Sequence, residues 1–159
     1  MPSKVCLFAV IAAIFIVGAA SAPSAKAAPP EDACSLLTQA QVSAAVSVSV
    51  GTGAYQGTYK KTCTWNAVSP ATKSAKYVTL MLEGLDAYQA GKLAPVKTIV
   101  VTLISGIGDE AYYLAVGPNV GLIVKKGDVA FKVALYGDLP MEKKQAMEKT
   151  LAQQVVSKL

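Results

Sequence analysis

The stretch Val120-Gly-Leu-Ile-Val-Lys-Lys-Gly-Asp-Val-Ala-Phe-Lys-Val-Ala-Leu-Tyr136 decides the fold. Val120, Leu122 and Val124 alternate, the pattern breaks at Gly127-Asp128, and Val129, Phe131, Val133 and Leu135 alternate again with Lys132 outward. Period-two apolar residues on either side of a two-residue Gly-Asp turn predict a β-hairpin with one face on a core. Upstream, Glu110 to Val116 predicts another strand, joined to this hairpin through Gly117-Pro118-Asn119. Strands linked in series by tight turns form a meander, which is antiparallel.

Further out toward the N-terminus the β signal continues. Val96 to Ile104 is rich in β-branched residues, with Ile99, Val101 and Leu103 on one face. Lys76 to Leu82 places Val78, Leu80 and Leu82 on one face, and Thr62 to Val68 predicts a strand carrying Cys63 and Trp65 side by side. Ser47-Val-Ser-Val-Gly51 also alternates and predicts a strand directly after the first helix. That helix, about Gln39 to Val46, starts at the capping box Thr38-Gln-Ala-Gln41, with Leu37 set to staple onto Val42. Leu85 to Leu93 reads as a short helix with Asp86 near its start and Lys92 near its end, as the helix dipole favours, although Gly91 counts against it. The last helix has Asp138 as its N-cap and Pro140 in its first turn, and Met147, Leu151 and Val155 make one apolar stripe. The expected fold is a single α+β domain over 34–159. A twisted antiparallel sheet with a late β-meander is packed by an N-terminal, a middle and a C-terminal helix.

The first 27 residues read as an address. Met-Pro-Ser-Lys is followed by an apolar run from Val5 to Ala20 and then by Ala25-Lys26-Ala27. A basic start, an apolar core and an A-x-A site are the marks of a signal peptide, with cleavage expected after Ala27. The run of about 16 residues falls short of the ~20 that a spanning helix needs. An exported protein, periplasmic or secreted and without an integral membrane span, is therefore expected. Residues 28–33 form a Pro-containing, mobile lead-in. Loss of Lys4 and Lys26 lowers the formal net charge from +5 to +3.

Two cysteines, Cys34 and Cys63, follow the leader. In an oxidising compartment such a pair closes into a disulfide. A metal site would need unusual ligands beside two thiols, and no Cys-x-x-Cys marks a redox pair. Trp65 is expected to pack beside the bridge in the core rather than to stand exposed as a ligand platform.

All 15 basic residues are Lys; there is no Arg and no His. This excludes a Ser-His-Asp triad, a Cys-His pair, a His metal ligand and bidentate Arg recognition of phosphate or guanine. Nucleic-acid binding would want arginine and a larger charge excess. No cofactor motif is present: the glycines at 106 and 108 are not followed by a helix, so they are no dinucleotide fingerprint.

Three stretches carry a resemblance. Cys34-Ser-Leu-Leu-Thr38 with Gln41-Val42 opens the domain, Cys63-Thr-Trp65 follows about 30 residues later, and Gly106-Ile-Gly-Asp-Glu-Ala-Tyr112 precedes the meander. Together they resemble a broad family of exported bacterial domains of unknown function, common among actinobacterial secreted lipoproteins. The resemblance covers most of 33–159 and implies a helix-backed sheet with a Cys34–Cys63 bridge. It transfers no catalytic residue. The chain departs from those lipoproteins in having no lipid-attachment cysteine: Cys6 lies too early, and Glu31-Asp32-Ala33 precede Cys34.

The candidate binding surface is a sheet face or the cleft near Gly106–Tyr112, with Asp109, Glu110, Tyr112 and Tyr113 as its residues. The two acids could hold a cation or a basic partner, but neighbours on a strand point opposite ways, and the glycines suit a turn or bulge. Of Tyr112 and Tyr113 one is expected inward and one outward. The outward ring, with Tyr55, Tyr59, Tyr77 or Tyr136, would line an aromatic groove for a glycan or peptide. The expected function is a non-enzymatic binding or interaction protein of the cell envelope, for an envelope protein, glycan or small ligand. The alternatives are a His-free hydrolase using a Ser-Lys or paired-carboxylate site, and a proteinaceous inhibitor of a hydrolase.

Overall fold

The computed structural model describes residues 29–93 and 96–159, so the expected signal peptide, 1–27, lies outside the described residues. The chain forms a single α+β domain. Helix α1 (Gln39–Val46) is followed by strands β1 (Ala54–Tyr55), β2 (Thr62–Asn66) and β3 (Ala75–Glu83). Helix α2 (Leu85–Lys92) leads to β4 (Ile99–Ile104), β5 (Glu110–Val116), β6 (Asn119–Lys126) and β7 (Val129–Gly137), and α3 (Met141–Val156) ends the chain. The seven strands form one antiparallel sheet in the order β1-β2-β3-β7-β6-β5-β4. Two meanders thus meet where β3 pairs with β7, and α2 lies in the crossover that carries the chain to the far edge.

The β6–β7 hairpin pairs Lys126 with Val129 across Gly127-Asp128. Leu122, Val124, Phe131, Val133 and Leu135 are all buried, as are Val78 and Leu80 of β3. Onto this face pack Val42 and Val46 of α1 and Leu151, Ala152 and Val155 of α3. Helix α1 starts as expected: Gln41 N–H donates to Thr38 Oγ1 at 3.2 Å and Thr38 N–H donates to Gln41 Oε1 at 2.9 Å. Leu37 and Val42 are both buried in the same cluster.

The opposite face is covered as well, but only in part. Tyr88 of α2 packs with Tyr112, Ile123 and Ala130 in a second, smaller cluster. Helices on both faces explain why alternate residues on β5 and β6 are apolar on both sides, a departure from the one-sided pattern of an open antiparallel sheet.

Two expectations are corrected. Ser47–Gly51 is not a strand: Ser47 adopts φ +55° and ends α1, and Val50 makes a lone bridge to Ala67. Val50 N–H is taken by Ser43 Oγ and its carbonyl by Gln39 Nε2, so α1 side chains stand in for part of a ladder. Asp138 does not cap α3, which begins after Pro140 with no side-chain cap bond. In the turn before α1, Asp32 Oδ1 accepts from Cys34 and Ser35 N–H, and Ala33 is buried with its N–H on Lys60 O. The apolar stripe of α3 also carries two buried charged residues, Lys144 and Glu148. Lys144 Nζ donates to Pro118 O at 2.9 Å, and Glu148 Oε1 accepts from Leu135 N–H at 2.9 Å.

Gly106 and Gly108 sit at φ +82° and +59° in the turn before β5. A Cβ on Gly108 would lie 2.5 Å from Lys125 O and 2.7 Å from Val124 Cγ1, whereas one on Gly106 would meet open space. Gly108→Ala is expected to cost about 2–3 kcal/mol, from left-handed strain plus a backbone clash, and Gly106→Ala about 1 kcal/mol from strain alone. Urea unfolding of the two variants checks this; equal losses would mean that the Lys125 contact is not what selects glycine.

Candidate functional site

The four residues singled out in the sequence do not form one site. Asp109, in the bend before β5, and Glu110, the first residue of β5, take different partners. Asp109 Oδ2 accepts from Gly127 N–H at 2.7 Å, and its Oδ1 lies 3.1 Å from Lys126 Nζ. Glu110 points to α2, 2.6 Å from Lys92 Nζ, with Lys125 Nζ at 3.5 Å on its other oxygen. Register pairs Glu110 with Lys125, so the adjacent acids are matched by the adjacent lysines of β6. Both carboxyls are held below their usual range, Asp109 first by the Gly127 amide and then by Lys126, Glu110 chiefly by Lys92. These are local ion pairs that tie turns and α2 to the sheet. Among the described residues no group of three or more His, Cys, Asp or Glu is arranged to hold a metal.

Tyr112 and Tyr113 point to opposite faces, yet both are buried because both faces are covered there. Tyr112 O–H donates to Tyr88 O at 2.9 Å under α2, and Tyr113 O–H donates to Gln145 O at 2.8 Å under α3. Burial is the main cause that raises each phenol to about 12. Neither ring lines a surface groove. The cleft near Gly106 exists as a depression of about 220 Å³ whose lining includes Lys92 and both acids, Asp109 and Glu110.

A larger depression, about 490 Å³, lies on the sheet face opposite α1 and α3. Thr62, Thr64 and Asn66 of β2, Tyr77 and Thr79 of β3 and Tyr136 of β7 line it. Gln56, just past β1, stands at its rim. The placement follows from alternation. Cys63 and Trp65 point to the core, so Thr62, Thr64 and Asn66 point away from it; Val78 and Leu80 do the same for Tyr77 and Thr79. Register sets the rows: Asn66 faces Tyr77 and Tyr77 faces Tyr136, while Thr64 faces Thr79 and Thr79 faces Ala134. The rings of Tyr77 and Tyr136 stack with centroids 4.5 Å apart and an angle of 15°. Burial, then the Tyr77 ring beside it, raises the Tyr136 phenol, which stays a neutral donor. Thr64 forms the floor, 4% exposed, and its buried Oγ1 has no hydrogen-bond partner among the described residues.

The sequence reading named Tyr77 and Tyr136 as groove candidates but missed the threonines and Asn66. Their signal was present in the polar members of the alternation on β2, Thr-Cys-Thr-Trp-Asn, which were read only for their inward partners.

Fold and site together define a small, disulfide-stapled α+β domain with a ligand-sized, uncharged depression on one sheet face. No family model, curated protein or solved structure matches the chain.

Proposed function

We propose that the chain is an exported, non-enzymatic binding module of the cell envelope, periplasmic or secreted, and that it binds through the depression on β2, β3 and β7. The observation that carries this reading is the depression itself: a concavity of small-ligand size, lined by hydrogen-bonding groups, with one buried hydroxyl that has no partner among the described residues. Export is supported by the leader pattern ending Ala25-Lys26-Ala27 and by the Cys34–Cys63 disulfide, which an oxidising compartment preserves. Among the described residues no helix is long and apolar enough to cross a membrane. Kinship with the exported domains that open Cys-Ser-Leu-Leu-Thr is part of the same proposal. The lysine partners of Asp109 and Glu110 weigh against a paired-carboxylate hydrolase, since each acid is committed to a different cation.

Two measurements test the reading. The intact mass of the exported protein should begin at Ala28 and rise by two hydrogens on reduction. Soluble envelope fractions added to ¹⁵N-labelled protein should shift the amides of Thr62–Asn66, Tyr77–Thr79 and Tyr136. Shifts confined to Ser105–Glu110, or no shift from any fraction, would overturn the assigned surface.

A further inference from the structure

We infer that the depression on β2, β3 and β7 is a subsite for a neutral, hydroxyl-rich chain, a short uncharged oligosaccharide; this deepens the proposed function and rests on it. Charge is the first discriminator. The chain carries 15 lysines and 10 acids, yet none of the residues lining the depression is charged. An ionic ligand would find no counter-charge among these residues, whereas a neutral one needs none.

Hydrogen-bonding capacity is the second. The threonine and tyrosine hydroxyls each donate and accept, and the amides of Asn66 and Gln56 do both from separate atoms. Sugar hydroxyls present the same mixed capacity, so either orientation of a hydroxyl finds a partner. Thr64 adds a hydroxyl without a partner among the described residues; a step of about 120° about χ1 carries it to another staggered position, from which it can reach a ligand.

The aromatic pair is the third. Tyr77 and Tyr136 are locked against each other by stacking, so they offer an ordered apolar surface with little entropy left to lose. The C–H face of a pyranose packs on such a surface while its rim hydroxyls reach Asn66 and the threonines. A volume of about 490 Å³ is within the usual range for small-ligand sites.

An extended peptide fits less well. Peptides that bind sheets gain affinity from main-chain bonds at an open edge. This depression lies on a face whose strands are already paired, β2 with β3 and β3 with β7. Side chains alone would have to recognise a peptide there.

The test uses the exported protein and defined probes: maltotriose, cellotriose, mannotriose and chitotriose as neutral sugars, with trigalacturonate and a random tripeptide mixture as comparison arms. Amide shifts read the site and calorimetry reads the affinity. At least one neutral trisaccharide is expected to shift Thr64, Asn66, Tyr77 and Tyr136, with little dependence on salt. Tyr136→Ala should weaken that sugar about 10-fold, and Asn66→Ala and Thr64→Val several-fold each, the scale of one stacking contact or one hydrogen bond. Asn66 is exposed, so its variant keeps the fold even where Tyr136→Ala does not. Thr64→Val is expected to hold or gain stability while losing affinity, which separates a ligand contact from a structural role. The inference is overturned if no neutral sugar shifts these amides, or if Asn66→Ala and Thr64→Val leave affinity unchanged. Shifts of the same amides by trigalacturonate or the tripeptides alone would also overturn it, while leaving the binding surface itself standing.

Discussion

Replacing Glu148 by Gln is expected to flatten the pH dependence of stability between about pH 4.5 and 8. Glu148 is fully buried on α3; Oε1 accepts from Leu135 N–H, and Oε2 has no partner among the described residues. Burial raises its carboxyl from 4.5 to about 8, against the Leu135 amide and the charges of Lys144 on its own helix and Lys132 on β7. The remaining ionisable neighbours are Tyr113 of β5 and Tyr136 of β7, both neutral in this window because their phenols are raised. Below pH 4.5 Glu148 is protonated in both states and its stabilising effect is complete. Between 4.5 and 8 the unfolded chain releases a proton that the folded chain keeps, so stability falls by up to about 1.4 kcal/mol per pH unit. The whole loss is on the order of 4 kcal/mol by the time pH passes 8. Gln keeps the acceptor for Leu135 N–H and cannot ionise. Urea midpoints of the two proteins should therefore nearly coincide at pH 5 and separate progressively at pH 6.5 and 8.5, with Glu148→Gln the more stable. Glu83, also raised by burial, adds a slope common to both proteins. Parallel curves would mean that Glu148 is solvated in the folded state.

Glu148 also shows where sequence pattern stops. On α3 the stripe Met147, Leu151, Val155 is legible because apolar residues recur at helical spacing. Lys144 and Glu148 lie on the same buried face, but a Lys/Glu pair four apart reads equally well as a solvated ion pair. Only the position of α3 over β6 and β7 decides which. The meander was legible from β5 onward because its turns are punctuated by Gly117-Pro118 and Gly127-Asp128 and its inward residues alternate. The Ser47–Gly51 error has a local cause: alternation is equally consistent with a segment pinned by helix side chains, and Ser43 and Gln39 do that here. Gly91 disfavours helix by propensity, yet a Cβ there would collide with the Tyr112 hydroxyl, so glycine is what lets α2 sit on the sheet. Burial of both Tyr112 and Tyr113 needs two covered faces, which no single strand discloses. The open depression depends on three strands distant in sequence, β2, β3 and β7, meeting in one register.

Removing the disulfide is expected to lower stability by about 3.6 kcal/mol on the chain-entropy model for a closed loop of roughly 30 residues. Cys34 and Cys63 are bonded with Cα atoms 5.0 Å apart, joining the turn before α1 to β2. Other bonds hold the same turn: Ala33 N–H on Lys60 O, and Tyr55 O–H on Asp32 at 2.8 Å. These keep the folded geometry in Cys34→Ala/Cys63→Ala, so the loss falls mainly on the unfolded chain, which becomes freer. The urea m-value should accordingly rise while the midpoint falls, and the melting temperature should drop by roughly 10 °C or more. The consequence reaches the binding face. Cys63 and Thr64 are neighbours on β2 with side chains on opposite sides, and a Cβ on Gly53 would lie 2.7 Å from Cys63 Sγ and 2.8 Å from Trp65 Nε1. The bridge, the only Trp and the β1 approach therefore back the strand that supplies Thr62, Thr64 and Asn66. Hydrogen exchange in the alanine variant should quicken first at Thr62–Asn66 and much less in β5–β7, which are tied by their own hairpins. An unchanged midpoint, or exchange that quickens uniformly, would show that β2 is held without the bridge.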